Sequence, residues 1–106
     1  MRLYHNPRCS KSRQAVKLLT DMGVSFQEHR YLDQGIMEVD LPILAALVGI
    51  IRKQEKAFKE LDFAVDSVDE VITVLRSKPK LLERPVLVKD GKAIIGRPPE
   101  EILKLI

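Results

Sequence analysis

The sequence predicts an α/β fold built on a four-stranded mixed sheet. A strand, a helix and a second strand follow one another at the start of the chain, helical patterns fill the middle, and a hairpin followed by a helix ends it. The order strand, helix, strand implies a right-handed crossover between parallel strands, whereas a hairpin pairs antiparallel strands. With 106 residues, 45% of them hydrophobic, we expect one domain with one core spanning residues 1–106.

The first half of the predicted sheet is a βαβ unit. Leu3 and Tyr4 mark a short first strand, and an amphipathic helix begins at about Ser10. Gly23 is placed where glycine ends a helix. Residues 24–31 alternate between apolar and polar side chains, which predicts the second strand.

A helical insertion is predicted at about residues 33–80. Apolar residues recur at helical spacing before Gly49, and a short helix is predicted over about 54–61. A further helix begins at Ser67, where Glu70 completes a capping box, and ends at Pro79. We expect these helices to separate the two halves of the sheet.

The end of the chain predicts a ββα unit. Apolar runs at 86–88 and 93–95 flank the two-residue turn Asp90-Gly91, and prolines after Gly96 open a last helix. The order βαβ, helical segment, ββα is that of a thioredoxin-like fold. In that fold the loop after the first strand lies near the start of the third, here the Arg84-Pro85 step, where a cis proline is general.

The only cysteine, Cys9, lies between the predicted first strand and first helix. Unpaired backbone N–H groups and the dipole of a helix's first turn stabilise a thiolate there. An inert core cysteine would have apolar neighbours, but residues 6–13 include no Ala, Val, Leu, Ile or Met. The pattern therefore favours a nucleophile, and further positive potential is expected from His5, Arg8, Lys11 and Arg13.

Three further arginines, Arg52, Arg84 and Arg97, each follow an apolar segment at the boundary of a predicted element. A guanidinium offers paired donors, so three of them around one thiolate would bind a tetrahedral, multiply charged anion. Taken singly, each arginine is more typical of a solvated surface residue. Because one cysteine cannot form an internal disulfide, any redox cycle needs a thiol from another molecule.

Composition argues against several other classes of protein. The net charge is only +3, its basic residues are scattered, and two Tyr and three Phe offer little for base stacking, so no nucleic-acid partner is predicted. Without an apolar run of about 20 residues or a signal-peptide pattern, we expect a cytoplasmic monomer that does not enter a membrane. Two His and one Cys, without carboxylates at ligand spacing, predict no metal and no bound cofactor.

Together these motifs resemble the glutaredoxin-coupled arsenate reductases, a thioredoxin-like family with an inserted helical segment. The resemblance spans the whole chain and is carried by His5-Asn6-Pro7 with Cys9, Ser12-Arg13, Arg52-Lys53, Arg84-Pro85 and Arg97-Pro98-Pro99-Glu100. It implies that Cys9 attacks arsenate to form a covalent adduct, while Arg52, Arg84 and Arg97 hold the oxyanion and lower the thiol pKa. Glutathione, a co-substrate, then attacks the adduct. Glutaredoxin removes the glutathione moiety as a mixed disulfide, and arsenite leaves.

The resemblance also implies supporting residues around the nucleophile. The family's equivalent of His5 helps to lower the pKa of the cysteine. Ser12 lies about one helical turn after Cys9, where its hydroxyl can donate to the thiolate or bond to its own backbone. Arg13 is expected to support the loop, and His29 to be a structural strand residue.

The chain departs from the family pattern beside the cysteine. Better-known members carry small residues there, whereas this chain has Arg8, Ser10 and Lys11. The added positive charge still favours a thiolate, but it leaves open which oxyanion or thiol partner is physiological.

Two other functions fit the same fold. Spx-type regulators bind RNA polymerase, but many carry a Cys-x-x-Cys switch, and here Ser12 occupies the second position. A monothiol, glutaredoxin-like oxidoreductase acting on glutathionylated proteins would use the same thiolate, and glutathione is itself anionic. Because the full set of arginines favours anion chemistry, arsenate reduction is the predicted function.

Overall fold

The computed structural model describes all 106 residues of the chain. Its strands are β1 (Arg2–Tyr4), β2 (Gln27–His29), β3 (Val86–Lys89) and β4 (Lys92–Ile95). Its α-helices are α1 (Ser10–Asp21), α2 (Tyr31–Gln34), α3 (Leu41–Ala45), α4 (Lys56–Lys59) and α5 (Val68–Ser77). Three 3₁₀ helices cover Glu38–Asp40, Pro79–Leu81 and Pro99–Leu105.

The four strands form one mixed sheet in the order β2-β1-β3-β4. β1 is parallel to β2, with Tyr4 opposite His29, and antiparallel to β3, with Tyr4 opposite Val86. β3 and β4 form the predicted hairpin, and both residues of its turn, Asp90 and Gly91, have positive φ, as a type I′ turn requires. This topology confirms the predicted thioredoxin-like fold.

The second strand is shorter than predicted. Of the expected residues 24–31, only Gln27–His29 form β2, and Tyr31 already begins α2. β2 lies at the edge of the sheet and pairs only with β1, which is itself three residues long. The pairing of β2 therefore ends where β1, the one strand it pairs with, ends.

The helical segment between the two halves of the sheet is more broken than predicted, since α3 ends at Ala45 and α4 covers only Lys56–Lys59. The predicted capping box of α5 is confirmed. The Ser67 hydroxyl accepts the Glu70 N–H at 3.1 Å, and the Glu70 carboxylate accepts the Ser67 N–H at 2.9 Å. None of the helices has the length and apolarity needed to span a bilayer.

The predicted last helix is a 3₁₀ helix, Pro99–Leu105, rather than an α-helix. Its bonds span three residues, as in the Glu101 N–H donated to the Pro98 carbonyl at 3.0 Å. The Arg84-Pro85 bond is cis, as the fold suggests, and the Arg97-Pro98 bond is also cis, which was not predicted.

The two faces of the sheet carry separate hydrophobic clusters. On one face, Leu3 and Leu87 pack with α1 and with Ile102 of the last 3₁₀ helix. On the other, Tyr4, Val86 and Val88 pack against the helical segment. This alternation along β1 and β3 follows from the two-residue period of a strand, and it leaves the carboxyl end of β1 between the two clusters.

Tyr4 ties the helical segment to the sheet. Its hydroxyl donates to Asp40 Oδ2 at 2.5 Å and accepts the Met37 N–H at 3.2 Å. Burial and the bond to Asp40 raise the pKa of Tyr4, so the phenol stays protonated and keeps donating.

Gly96 lies where the backbone passes closest to its neighbours. A Cβ at this position would lie 2.9 Å from Ile102 Cγ2 and 2.9 Å from Pro85 Cγ, and the proline ring cannot rotate away. We expect Gly96→Ala to lower the free energy of unfolding by about 1–3 kcal/mol in urea denaturation. Ser25→Ala, at an exposed position, should change it by less than about 0.5 kcal/mol. Equal urea midpoints for the two variants would contradict this packing.

Candidate active site

Cys9 is the N-cap residue of α1 and follows β1 through a short loop. Its backbone is extended, and its carbonyl accepts the Arg13 N–H at 3.0 Å. Asn6 closes the loop, because its carbonyl accepts the Cys9 N–H and its side-chain oxygen accepts the Arg8 N–H, both at 3.0 Å. Arg13 Nη1 donates to the Pro7 carbonyl at 2.9 Å, so it supports the loop as expected.

The pKa of the Cys9 thiol lies below its ordinary value. Burial on its own raises that pKa, but the backbone N–H groups of Ser12 and Lys11 at the start of α1 and the positive charge of Arg84 lower it by more. Arg97 Nη2 also lies 3.8 Å from the sulfur. The helix terminus and two arginines therefore favour the thiolate, which is the nucleophilic form of cysteine.

This environment predicts that alkylation of Cys9 by iodoacetamide begins at a lower pH than alkylation of an ordinary cysteine. Only the thiolate reacts, so the rate rises as the pH passes the thiol pKa, and we expect its midpoint at a lower pH than that of an ordinary thiol. The matched control is the same protein unfolded in guanidinium chloride, where the fold no longer stabilises the thiolate. A folded-state midpoint at or above that of the unfolded protein would show that the site does not activate Cys9.

Arg52 and Arg97 share one carboxylate, that of Glu83. Glu83 Oε1 lies 2.6 Å from Arg52 Nη1 and 3.2 Å from Arg97 Nε. Arg52 also pairs with Glu55 at 3.1 Å, and Arg97 Nε donates to the backbone carbonyl of Arg84 at 2.9 Å. These arginines and carboxylates line a cleft of about 300 Å³.

Arg84 differs from the other two arginines because it has no carboxylate partner. It is partly buried, and its Nε has no hydrogen-bond partner. The Arg84 guanidinium instead favours the Cys9 thiolate and lowers the pKa of that thiol. A buried donor without an acceptor is costly, so Arg84 is the arginine best prepared to receive an anion beside the thiolate.

His5 and Ser12 form a buried pair beneath the loop. Ser12 Oγ lies 2.6 Å from His5 Nδ1 and accepts the Asn6 N–H at 3.0 Å. With its hydroxyl engaged there, Ser12 makes no side-chain bond to Cys9, and its backbone N–H faces the sulfur instead. Burial lowers the pKa of His5, so the ring is neutral at neutral pH and does not supply the expected positive potential.

His29 is structural, as expected. Its Nε2 lies 2.7 Å from the Gly35 carbonyl, and its ring meets the Tyr4 ring edge-on at 4.8 Å between centroids. No three His, Cys, Asp or Glu side chains lie close enough together to share a metal ion.

Sequence reasoning missed two residues of the site, Glu83 and Tyr31. The available signal for Glu83 was a charge directly after two leucines and directly before Arg84. Tyr31 is fully buried with an unpartnered hydroxyl. Burial raises its pKa, and the charges of Arg84 and Cys9 also act on it, so this buried phenol lies within electrostatic range of the site.

The chain is similar to several known proteins over nearly its whole length. The family model described as ArsC family matches residues 4–105. The chain is 40% identical to YfgD of Escherichia coli (strain K12), covering 100% of this chain and 96% of YfgD. It is 34% identical to an arsenate reductase of Neisseria meningitidis, covering 96% and 94% of the two chains.

Solved structures and regulatory proteins complete the comparison. The structure of an arsenate reductase from Vibrio cholerae superposes with a TM-score of 0.85 at 34% identity, covering 100% of this chain and 98% of that one. The regulatory protein MgsR of Bacillus subtilis is 31% identical, covering 96% of this chain and 86% of MgsR. The matched model and the relatives above 30% identity, set beside the arginines around Cys9, show that this chain belongs to the ArsC family.

Proposed function

We propose that this protein is an arsenate reductase in which the Cys9 thiolate is the nucleophile and glutathione and glutaredoxin supply the electrons. The observation that carries this proposal is the position of the sulfur. The sulfur belongs to the N-cap residue of α1 and lies 3.8 Å from Arg97 Nη2, and Arg84, whose Nε has no hydrogen-bond partner, lowers the pKa of the thiol. A thiolate and free anion-binding donors thus meet at one point, and similar proteins are named arsenate reductases.

In the first step, Arg84 and its neighbouring arginines hold arsenate against the sulfur. The Cys9 thiolate attacks arsenic and forms a sulfur–arsenic bond, and one arsenate oxygen takes up protons and leaves as water. Arsenic remains As(V) in this adduct. The guanidinium groups stabilise the charge on the remaining oxygens, which is how fixed donors lower a reaction barrier.

Reduction requires two electrons, which this chain cannot supply from a single cysteine. Glutathione attacks arsenic in the adduct, and a second oxygen leaves as water. The thiolate of glutaredoxin then attacks the glutathione sulfur, which forms a glutathione–glutaredoxin disulfide and leaves two electrons on arsenic, so that As(V) becomes As(III). Water hydrolyses the remaining sulfur–arsenic bond and releases arsenite and the Cys9 thiol. The role of glutathione and glutaredoxin is part of the proposal, and the count of one cysteine supports it.

The proposal is tested by arsenate-dependent NADPH oxidation in the presence of glutathione, glutathione reductase and glutaredoxin. We expect oxidation to require arsenate, glutathione and glutaredoxin together. A parallel assay replaces arsenate with a glutathionylated peptide. Turnover of the peptide without turnover of arsenate would assign the chain to the thiol oxidoreductases instead.

A regulatory role is the second candidate, favoured by the similarity to MgsR. This chain cannot form an intramolecular disulfide switch because Cys9 is its only cysteine. Capture of RNA polymerase by the tagged protein, in the absence of arsenate turnover, would favour this second function.

A further inference from the structure

We propose that Glu83 is a specificity-determining residue that lowers the affinity of the anion site for doubly charged oxyanions relative to singly charged ones. This inference rests on the proposed function, since it concerns the charge of the anion that Arg52, Arg84 and Arg97 receive. The sequence pattern of the three arginines gives no sign of this role. The structure indicates it, because the Glu83 carboxylate lies among the arginines.

The Glu83 carboxylate is held firmly inside the site. A single oxygen, Oε1, accepts Arg52 Nη1 at 2.6 Å and the backbone N–H of Arg84 at 3.2 Å. It also lies 3.2 Å from Arg97 Nε, whose N–H is donated to the Arg84 carbonyl. The Glu83 side chain is only 20% exposed. Two hydrogen bonds and a second ion pair thus fix one negative charge in the cleft where an oxyanion would be held.

This charge changes the electrostatics of the cleft. The cleft is lined by three positive side chains, Arg52, Lys53 and Arg97, and by two negative ones, Glu55 and Glu83. Glu83 pairs with both Arg52 and Arg97, and Glu55 pairs with Arg52. An arriving anion therefore meets a site in which most of the positive charge is already compensated, and of the three arginines only Arg84 lacks a carboxylate partner.

Repulsion by Glu83 grows with the charge of the anion and not with its shape. At the same distance a dianion interacts with a fixed charge twice as strongly as a monoanion. Glu83 thus penalises a dianion more than a monoanion of the same tetrahedral geometry. Glu83 therefore shifts the selectivity of the site toward the lower charge.

Sulfate and perchlorate test this inference, because both are tetrahedral and they carry two charges and one. Their dissociation constants are measured at constant ionic strength, from the protection of Cys9 against iodoacetamide. Glu83→Gln removes the charge but keeps a carbonyl oxygen that can accept from Arg52 and Arg97. We expect it to tighten sulfate binding about tenfold and perchlorate binding about threefold, because the electrostatic free energy scales with charge.

The matched control is Asp21→Asn, which removes one negative charge at the far end of α1, where Asp21 pairs with Lys17 at 2.8 Å. It should leave both dissociation constants unchanged. Unchanged or weaker sulfate binding in Glu83→Gln, or equal gains for the two anions, would overturn the role of Glu83 alone. Failure of both anions to protect Cys9, in the wild type and in Glu83→Gln alike, would overturn the anion site itself and the proposed function with it.

Discussion

Replacing Cys9 with serine is expected to abolish arsenate-dependent NADPH oxidation, with a loss of at least about a thousandfold. The first turn of α1 and the arginines lower the pKa of a thiol far enough to give a thiolate. They cannot do the same for an alcohol, which is a much weaker acid, so the bond to arsenic does not form. The coupled assay measures this loss directly.

Two controls isolate the chemical effect of this substitution. Cys9 is only partly buried and serine is nearly isosteric, so Cys9→Ser should unfold at the same urea concentration as the wild type. Thr20→Ala, exposed at the other end of α1, should keep wild-type activity. Arsenate turnover by Cys9→Ser at the wild-type rate would rule out Cys9 as the nucleophile.

Arg84→Ala is expected to lower kcat/KM for arsenate about 10²–10³-fold, the usual cost of removing one preorganised donor to a developing oxyanion. Arg84 is singled out because it alone of the three arginines lacks a carboxylate partner, and because it lowers the pKa of the Cys9 thiol. Its loss should also raise the midpoint of Cys9 alkylation, since that stabilisation of the thiolate disappears. Arg84→Lys keeps the charge but loses the planar, paired donors, so it should restore only part of the activity.

Arg76→Ala is the matched control for loss of an arginine. Arg76 lies on α5 and pairs with Glu38 at 2.9 Å, and both side chains are exposed. We expect its kcat/KM and its alkylation midpoint to equal those of the wild type. If Arg84→Ala behaves like Arg76→Ala in both measurements, Arg84 has no part in holding the anion.

Local signals in the sequence account for most of the fold. The Asp90-Gly91 turn and the Ser67 capping box each depend on residues within a few positions, and the structure has both. The predicted bounds of the second strand were wrong because they depend on the length of β1, a partner more than 20 residues away. The helix at the end of the chain was predicted, but its short sequence shows no periodicity that would distinguish a 3₁₀ helix from an α-helix.

The same distinction between local and long-range signals applies to the site. The position of Cys9 at a helix start follows from adjacent residues, and the structure confirms it. The hydroxyl of Ser12 bonds to His5, seven residues earlier, a partner that spacing along the helix did not indicate when it left Cys9 and the local backbone as alternatives. The carboxylate of Glu83 reaches Arg52 across 31 positions, a contact that only the folded chain creates.

Direct measurement of arsenite tests the central claim that Cys9 attacks an arginine-held arsenate and external thiols complete its reduction. Arsenite is quantified by chromatography with elemental detection after incubation of arsenate with the protein, glutathione and glutaredoxin, each omitted in turn. The account predicts arsenite only in the complete mixture, two thiols consumed for each arsenite formed, and none with Cys9→Ser. Equal arsenite formation by Cys9→Ser, or none by the wild type in the complete mixture, would contradict it.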